Sequence, residues 1–490
     1  MDAPPPRPPP SHRALVRALV ALVTLLSLAG YFARYRTGFC DFRAFYCAGR
    51  VSSAGVDPYR EHPLHECERE LPQRWAPTLP AAVTLPAPYP PATLALFGLV
   101  ARAPFAAALA LFLGVSLAAL ALTIVLVART TATPLGAAVI AIGFPAVVVA
   151  LPLGQPTPLI FLAIAASGAF VEARRPRTAG LAALLTLLDP HVGLAACCGV
   201  FAGVPAARRT LLAGVAGVAA ANVAAGGPAL TWEYAREVLP AHALANLADF
   251  GQFSVANLAF SLGVAPAPAL AFAGLWSLAA LAGGVVVGLR TRAHLGPAAV
   301  VFVPVAFTVV GGLHTHLQQL AFAIPAFLLA TRAARGRRRA MLVALTFAAS
   351  MPWLLVAGFP DVYPAVALLG VAFARELRVA AVGRVLAGGS LAVFALLVAC
   401  LLSTRTPLPV TLTPVSGNPL AEVGWGAFVR AAFLPSPAWV FAAKLPTLGA
   451  FAALLTLLTA AATPLRGGFV GRREDAWEER VTGIGLGVDR

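Results

Sequence analysis

Charge is scarce in this chain of 490 residues: Asp, Glu, Lys and Arg together make up 11% of it, against roughly 25% in an average soluble domain. Lysine is almost absent, since Lys444 is the only one. A soluble protein of this size would carry more charge, and a disordered chain would be far less hydrophobic than the 59% found here. Both of these classes are therefore excluded.

Several motifs of soluble enzymes are also missing. The sequence contains no P-loop, no GxGxxG fingerprint in a suitable setting and no CxxC metal pattern. No internal repeat is evident, which argues against a transporter built from two matching halves. The net charge is +16, but the arginines stand beside apolar runs, where they mark cytoplasmic loops more often than a nucleic-acid surface. We expect no nucleic-acid partner.

The chain is instead rich in apolar runs of the length that crosses a bilayer, from Ala14–Phe32 to Leu445–Ala462. About 20 apolar residues suffice for one span. No clear cleavage site follows Ala14–Phe32, so we interpret it as an anchored first helix and not as a signal peptide. These runs predict an all-α polytopic membrane protein with about 11–14 transmembrane segments.

The predicted organisation has three parts: a disordered cytoplasmic tail at 1–13, a single membrane-embedded domain at 14–463 and a cytoplasmic tail at 464–490. Three long connections, at about 33–90, 226–256 and 403–444, face outward in the simplest topology. Their orientation follows from the arginine clusters, which belong in the cytoplasm. Long connections without repeats are often functional.

The middle of the chain allows two topologies. If Arg174–Arg177 and Arg208–Arg209 both face the cytoplasm, Ala179–Val204 forms a hairpin whose turn is Asp189-Pro190, with arms too short to cross a bilayer. If Ala179–Val204 is one kinked helix, one of the two arginine clusters lies outside. The sequence does not choose between them.

The first outer connection opens with a helical pattern, because Phe42, Phe45 and Tyr46 stand at i, i+3 and i+4. This spacing predicts an amphipathic helix at the membrane interface. Asp41 lies in its first turn, where it is either a helix-start carboxylate or a catalytic carboxylate at the boundary between water and lipid. Gly55-Val56-Asp57-Pro58-Tyr59 follows and is foremost a turn signal.

Two further groups of polar residues interrupt apolar sequence. Asp189-Pro190-His191 is either a solvated turn or a functional site, since an ionisable residue at membrane depth is costly. His314 and His316 open a predicted helix, on which side chains at i and i+2 diverge. That divergence argues against a zinc site, and we expect no metal. These histidines either contact a phosphate or sugar hydroxyls, or they have a plain interfacial role.

Three of the six cysteines, Cys40, Cys47 and Cys67, lie in the first outer connection, where oxidation can occur. The sequence allows a Cys40–Cys67 or a Cys47–Cys67 disulfide and does not select one.

The order of these blocks resembles the polyprenol-phosphate-sugar-dependent glycosyltransferases of the GT-C superfamily, and above all glycosyltransferase family 87, which includes bacterial α-mannosyltransferases. The resemblance covers roughly Asp41 to Ala330 and is carried by these blocks: Asp41–Tyr46, Gly55–Tyr59, Tyr89-Pro90-Pro91, Gly154-Gln155, Ala179–His191, Gly227-Pro228, Trp232-Glu233-Tyr234, Val238-Leu239-Pro240, Gln252-Phe253-Ser254 and the segment with His314 and His316.

The resemblance implies a GT-C-type helical bundle in the bacterial cell membrane with its active site on the extracytoplasmic face. It implies transfer of a sugar such as mannose from a polyprenyl-phosphate donor to a hydroxyl of a glycolipid or glycan acceptor, with inversion. By position Asp41 would be the general base, and no metal, nucleotide or other cofactor is required. The implied substrate-binding residues are Arg43, Asp57, Tyr59, Gln155, Asp189, His191, Gln252, His314 and His316.

Two other classes of function compete with this one. A transporter or flippase for lipid-linked or small polar substrates would place its ionisable residues near the membrane midplane, where only Asp189 is a candidate. A non-catalytic membrane protein of envelope assembly would keep its function when Asp41 is replaced by Asn. The sequence does not indicate an oligomeric state.

Overall fold

The computed structural model describes residues 12–34, 38–71, 83–358, 362–403, 417–433 and 438–462. The tail predicted for 464–490 lies outside these ranges, as does nearly all of the tail predicted for 1–13. Parts of two predicted outer connections, at 72–82 and 404–416, also lie outside the described residues.

Helices dominate the described residues, and no strand forms among them. In the first half of the chain the α-helices are α1 (His12–Arg34), α2 (Cys40–Ser53), α3 (Glu61–Glu70), α4 (Pro91–Val100), α5 (Phe105–Thr130), α6 (Leu135–Ala138), α7 (Leu151–Leu153), α8 (Thr157–Glu172), α9 (Pro176–Leu185), α10 (Pro190–Gly203) and α11 (Arg208–Glu233). In the second half they are α12 (Leu239–Ala245), α13 (Val255–Ser261), α14 (Pro266–Leu295), α15 (Ala299–Gly311), α16 (Ile324–Ala333), α17 (Gly336–Ser350), α18 (Trp353–Gly358), α19 (Tyr363–Glu376), α20 (Ala380–Ser403), α21 (Ala421–Phe433) and α22 (Ala438–Ala462). Turns of 3-10 helix lie at Thr186–Leu188, Pro205–Ala207 and Leu317–Ala323, and π-helical turns at Val139–Gly143, Ala146–Ala150 and Tyr234–Val238.

Five segments of the described chain are long and apolar enough to cross a membrane: Phe105–Thr130, Leu135–Leu153, Pro205–Ala245, Pro266–Leu295 and Val440–Ala462. Shorter apolar helices accompany them, at Val20–Phe32, Pro91–Val100, Thr157–Glu172, Pro176–Leu188, Pro190–Gly203, Ala299–Gly311, Leu317–Ala333 and Ala381–Val393. The predicted class, an all-α polytopic membrane protein, is therefore confirmed. The number of 11–14 spans stays a prediction.

The segment between the two central arginine clusters is a hairpin. Its turn is at Asp189, which has extended backbone angles (φ −124°, ψ 90°), and Pro190 begins the second arm, as suits its fixed φ. Thr186 Oγ1 donates to Gly193 O at 3.2 Å, and the Cys197 thiol contacts Ala183 O at 3.3 Å. Such paired contacts on either side of one turn mark two antiparallel arms, so the sequence's kinked-helix alternative is wrong.

The open end of this hairpin places the two arginine clusters side by side. Gly180 of α9 lies against Ala207 and Thr210, at the start of the helix that follows the hairpin. With 10 and 14 residues, α9 and α10 reach about 15 and 21 Å at 1.5 Å per residue, less than the roughly 30 Å of a hydrocarbon core. The hairpin therefore enters the bundle partway, and its tip carries Asp189.

The other basic clusters collect at the same end of the bundle. Glu172, which ends α8 just before the first arginine cluster, accepts a hydrogen bond from Ala298 N at 3.2 Å. Ala298 follows α14, whose last residue Leu295 accepts from Arg332 Nη2 at 2.7 Å. Arginine-rich connections thus share one face, as expected of cytoplasmic loops.

The three predicted outer connections pack against one another at the opposite end. Ala421 N, at the start of α21, donates to Tyr59 O at 2.9 Å. Trp425 Nε1 of the same helix donates to Asn246 Oδ1, next to α12, at 2.9 Å. Residues far apart in sequence therefore form a single layer, which we call the outer layer, built from α2, α3, α12 and α21.

The apolar face of α2 is not exposed at an interface, contrary to the expectation from its spacing. Phe42, Phe45 and Tyr46 are all buried. The ring of Phe45 lies 5.2 Å from that of Phe97, and the rings of Phe42 and Tyr46 lie 5.7 and 5.2 Å from that of Phe105. The predicted helical face exists, but it packs on α4 and α5 and so fixes the first turn of α2.

A disulfide between Cys47 and Cys67 joins α2 to α3. Of the two pairings that the sequence allowed, the structure has this one, and Cys40 is free. The Cys40 thiol instead lies beside Asp41, 3.6 Å from its Oδ1.

Candidate active site

Asp41 is held at the start of α2 by a loop from the bundle. Gly154, with φ of 75°, brings this loop so close to α2 that a Cβ would lie 2.5 Å from Phe42 Cβ, so only glycine fits. The next residue, Gln155, donates from Nε2 to Asp41 Oδ2. Gly154-Gln155 and Asp41 were predicted to belong to one site, and the fold brings them together.

The environment of Asp41 favours its protonated form. Burial raises the pKa of Asp41 from its ordinary 3.8 to about 6, and the negative charge of Asp249 adds to this. Hydrogen bonds from Gln155 and Cys40 act in the opposite direction. A carboxyl group with a pKa in this range is half ionised near pH 6, which suits a group that must accept a proton at neutral pH.

Four of the eight histidines form a second cluster, which we call the histidine cluster: His191, His242, His314 and His316. The ring of His314 lies at its centre, with centroid distances of 5.8 Å to His191, 4.7 Å to His242 and 4.5 Å to His316. Burial lowers the pKa of His314 well below its ordinary value, and its histidine neighbours add to this. Both effects favour the neutral imidazole, which has a lone pair on one ring nitrogen.

His314 and His316 do not lie on a helix, and this corrects the prediction. The Leu317–Ala323 turn begins only after them, and a β-bridge pairs His316 with Gln252. Phe253 N donates to Thr315 O at 2.7 Å within this pairing. In an extended segment, side chains at i and i+2 lie on the same side, so the two rings meet. The argument against a shared metal site therefore fails, because it assumed helical geometry.

The hairpin tip enters the same site. Asp189 Oδ1 lies 2.9 Å from His191 Nε2, and Gln319 Nε2 donates to Asp189 Oδ2 at 2.7 Å. Gln319 Oε1 in turn accepts from His316 N at 2.9 Å. Asp189 is thus neither a solvated turn nor alone at membrane depth, since it is buried and has specific partners.

Asp249 links Asp41 to the histidine cluster. Its Oδ2 lies 3.7 Å from His316 Nδ1, and its Oδ1 accepts from Gly251 N at 2.8 Å. The negative charge of Asp249 also raises the pKa of Asp41, so Asp249 lies within electrostatic reach of both Asp41 and the histidine cluster. Sequence reasoning missed Asp249 and His242, since neither stands in a motif.

Three predicted substrate-binding residues point elsewhere. Arg43 Nη2 donates to Glu68 O in α3, on the other side of α2 from Asp41. Asp57 caps its own turn by accepting from Tyr59 N at 2.9 Å, and Tyr59 OH donates to Tyr89 O at 2.8 Å. These contacts hold the outer layer together, and they favour the turn interpretation of Asp57 over a role in binding.

An apolar cavity of about 480 Å³ adjoins the histidine cluster at Gln252. Its apolar lining comes from α13, α14, α15 and α22 and includes Leu258, Leu262, Trp276, Val310, Phe441 and Leu448. Its polar end holds Lys444, whose Nζ donates to Gln252 O at 2.6 Å and to Asn257 Oδ1 at 2.9 Å. The cavity can hold a hydrocarbon chain and the cluster beside it a polar head group.

The comparisons with known proteins bear on this arrangement. Residues 88–313, slightly under half of the chain, match the family model described as Glycosyltransferase family 87. The match includes Gln155, Asp189, His191, His242 and Gln252 and ends just before His314, while Asp41 precedes it. The comparisons with curated proteins and with solved structures gave no match. The resemblance drawn from the sequence is thereby confirmed over residues 88–313, and together with the apolar helices this match supports a membrane glycosyltransferase.

Proposed function

We propose that this protein transfers a sugar, mannose by resemblance, from a polyprenyl-phosphate donor to a hydroxyl of a glycolipid or glycan acceptor. Transfer inverts the anomeric centre, and Asp41 is the general base. The observation that carries the proposal is the position of Asp249, which lies 3.7 Å from His316 and is near enough to raise the pKa of Asp41. An apolar cavity adjoins the same histidine cluster at Gln252.

The reaction needs a proton acceptor beside the attacking oxygen. Asp41 takes the proton of the acceptor hydroxyl while that oxygen bonds to the anomeric carbon. The bond from this carbon to the phosphate oxygen breaks, and its electron pair leaves with the lipid phosphate. Because Asp41 has a pKa raised to about 6, it is ionised at neutral pH but is more basic than an exposed carboxylate.

The leaving phosphate needs hydrogen-bond donors where its charge develops. The ring N–H groups of His314 and His316 and the amide of Gln252, whose Nε2 lies 3.0 Å from His314 Nδ1, are suited to this. Arg43, implied by resemblance, is not, because it is engaged with α3.

The apolar cavity beside Gln252 supports a lipid-linked donor. A polyprenyl chain lying among Leu258, Trp276 and Phe441 would place its phosphate toward the histidine cluster. A water-soluble nucleotide sugar would gain nothing from such a lining. The hairpin tip then supplies Asp189 and His191 at the polar side of the donor.

Two observations support an extracytoplasmic orientation of the site. The arginine clusters collect at the far end of the bundle, and arginine-rich loops stay in the cytoplasm. The Cys47–Cys67 disulfide lies in the outer layer, and disulfides persist in oxidising compartments. The donor would therefore be used from the outer leaflet of the cell membrane.

The test uses purified protein in lipid nanodiscs with polyprenyl-phosphate mannose and, in parallel, polyprenyl-phosphate glucose. We expect acceptor-dependent release of polyprenyl phosphate, lost in Asp41→Asn and kept in Glu70→Gln. Glu70 is a matched control, because it is an exposed carboxylate of α3 that pairs with Arg50 at the surface.

The outcome also separates the competing functions. A flippase moves the labelled lipid across a liposome membrane with the sugar still attached. Transbilayer movement without release of lipid phosphate, or full activity of Asp41→Asn, would contradict the proposal.

A further inference from the structure

The histidine cluster brings together three side chains of a type that binds metal ions. One ring nitrogen from each of His242, His314 and His316 lies within 4.8 Å of the other two. Nitrogens bound to one tetrahedral Zn²⁺ at 2.0–2.1 Å are about 3.3 Å apart, so each ring needs to move by about 1 Å or less to share an ion. We infer that His242, His314 and His316 bind one divalent transition-metal ion of the zinc class.

The backbone explains why three imidazoles converge here. His314 and His316 lie on one side of an extended segment that is fixed on both flanks, since Phe253 N donates to Thr315 O and Leu317 N donates to Gly251 O at 3.0 Å. His242 approaches from α12. Ligands from two separate elements, one of them held by backbone hydrogen bonds, make a site that needs little reorganisation on binding.

The chemistry of the three side chains suits a transition metal, because imidazole nitrogen is a ligand that such ions prefer. Metal ions bind the neutral form of imidazole. Three uncharged nitrogen ligands select Zn²⁺, Co²⁺ or Ni²⁺ over Mg²⁺ and Ca²⁺, which prefer oxygen.

The surroundings resemble those that orient metal ligands. Asp249 Oδ2 lies 3.7 Å from His316 Nδ1, so that Nε2 of the same ring is left for an ion. Gln252 Nε2, a donor, lies 3.0 to 3.4 Å from ring nitrogens of His314 and His316. The Gln252 amide group therefore lies at the point toward which the ring nitrogens converge. A cation bound at this point would repel the amide N–H group, and the Gln252 side chain would rotate away.

His191 stays outside the proposed ligand set, because its Nε2 pairs with Asp189 at 2.9 Å. Three protein ligands leave one tetrahedral position open. If the proposed function holds, an oxygen of the donor phosphate would complete the coordination. The metal site itself does not depend on the identity of the sugar or on transfer taking place.

The test is metal binding to the full chain, purified through a tag without histidine and stripped with a chelator. We expect uptake of about one Zn²⁺ per chain, a four-coordinate Co²⁺ visible spectrum and no uptake of Mg²⁺ or Ca²⁺. His242→Gln, His314→Gln and His316→Gln should each weaken Zn²⁺ binding at least about tenfold, and Asp249→Asn should weaken it less.

His62→Gln is the matched control, because His62 is exposed in α3 and is not one of the three converging histidines. It should bind Zn²⁺ as the wild type does. Because substrate is absent, the result is independent of the transfer assay. Absence of uptake by folded wild-type protein, or equal uptake by the wild type and the three ligand variants, would overturn the inference. The wild-type Co²⁺ spectrum decides the matter if a variant does not fold.

Discussion

Replacement of Asp41 by Asn should abolish sugar transfer and at the same time stabilise the protein at neutral pH. The shift of the Asp41 pKa from 3.8 to about 6 corresponds to about 3 kcal/mol, at 1.36 kcal/mol for each pH unit. This free energy is the cost of keeping a charged carboxylate in the folded site. Asp41 is only partly buried by surface area, and solvent screening reduces the expected gain to about 1–3 kcal/mol.

The sign of the effect depends on pH. Below pH 3.8 Asp41 is protonated in both the folded and the unfolded chain, so its charge contributes nothing. As pH rises toward 6 the unfolded chain ionises first, and the wild type loses stability until the folded carboxyl ionises too. The Asn variant lacks this loss, and Asn Oδ1 can still accept from Gln155.

The assay compares thermal unfolding of both proteins in nanodiscs at pH 4.5 and pH 8, together with the rate of transfer. We expect the wild-type rate to rise through about pH 6 and the variant to be at least about 100-fold slower at pH 7.5, the usual size of a general-base contribution. A variant that is less stable than the wild type at pH 8, or that keeps a tenth of the activity, would refute this account of Asp41.

Three other variants test the supports of the site. Gln155→Ala removes a hydrogen bond that lowers the pKa of Asp41, so the pH–rate profile should move to higher pH, and an unchanged midpoint would contradict the contact. Cys47→Ser opens a disulfide between residues 20 apart and should cost about 3 kcal/mol of unfolding free energy, whereas the free thiol variant Cys198→Ser should melt as the wild type does. Lys444→Met leaves two buried acceptors, Gln252 O and Asn257 Oδ1, without a donor. It should cost about 2–4 kcal/mol of unfolding free energy, measured as a lower melting temperature, and should slow transfer. An unchanged melting temperature would show that Lys444 does not hold the segment that carries Gln252.

Helix α2 shows which structural features the local sequence pattern predicts and which it does not. The spacing of Phe42, Phe45 and Tyr46 predicts the helix and its apolar face, and it places Asp41 in the first turn. It does not say what covers that face, and α4 and α5 do so in place of lipid. Nor does it show which way Arg43 points, because that depends on the position of α3.

The histidines mark the limit of spacing arguments. The sequence places His314 and His316 at i and i+2, but the backbone decides whether their side chains meet. They diverge on a helix and lie on the same side of an extended segment. The backbone is extended because residues 251–253 pair with residues 315–317, a contact across more than sixty positions. His242 and Asp249 could not be predicted for the same reason.

By itself the sequence determined the helical membrane class and the carboxylate in the first turn of α2, because hydropathy, composition and helical period are local properties. The resemblance to glycosyltransferase family 87 rests on the order of short motifs along the chain. The tertiary structure alone decided that Ala179–Val204 is a hairpin, that Cys47 and not Cys40 pairs with Cys67, and that four histidines meet beside Asp249. These features depend on contacts between distant segments, and such contacts are fixed only when the whole bundle packs.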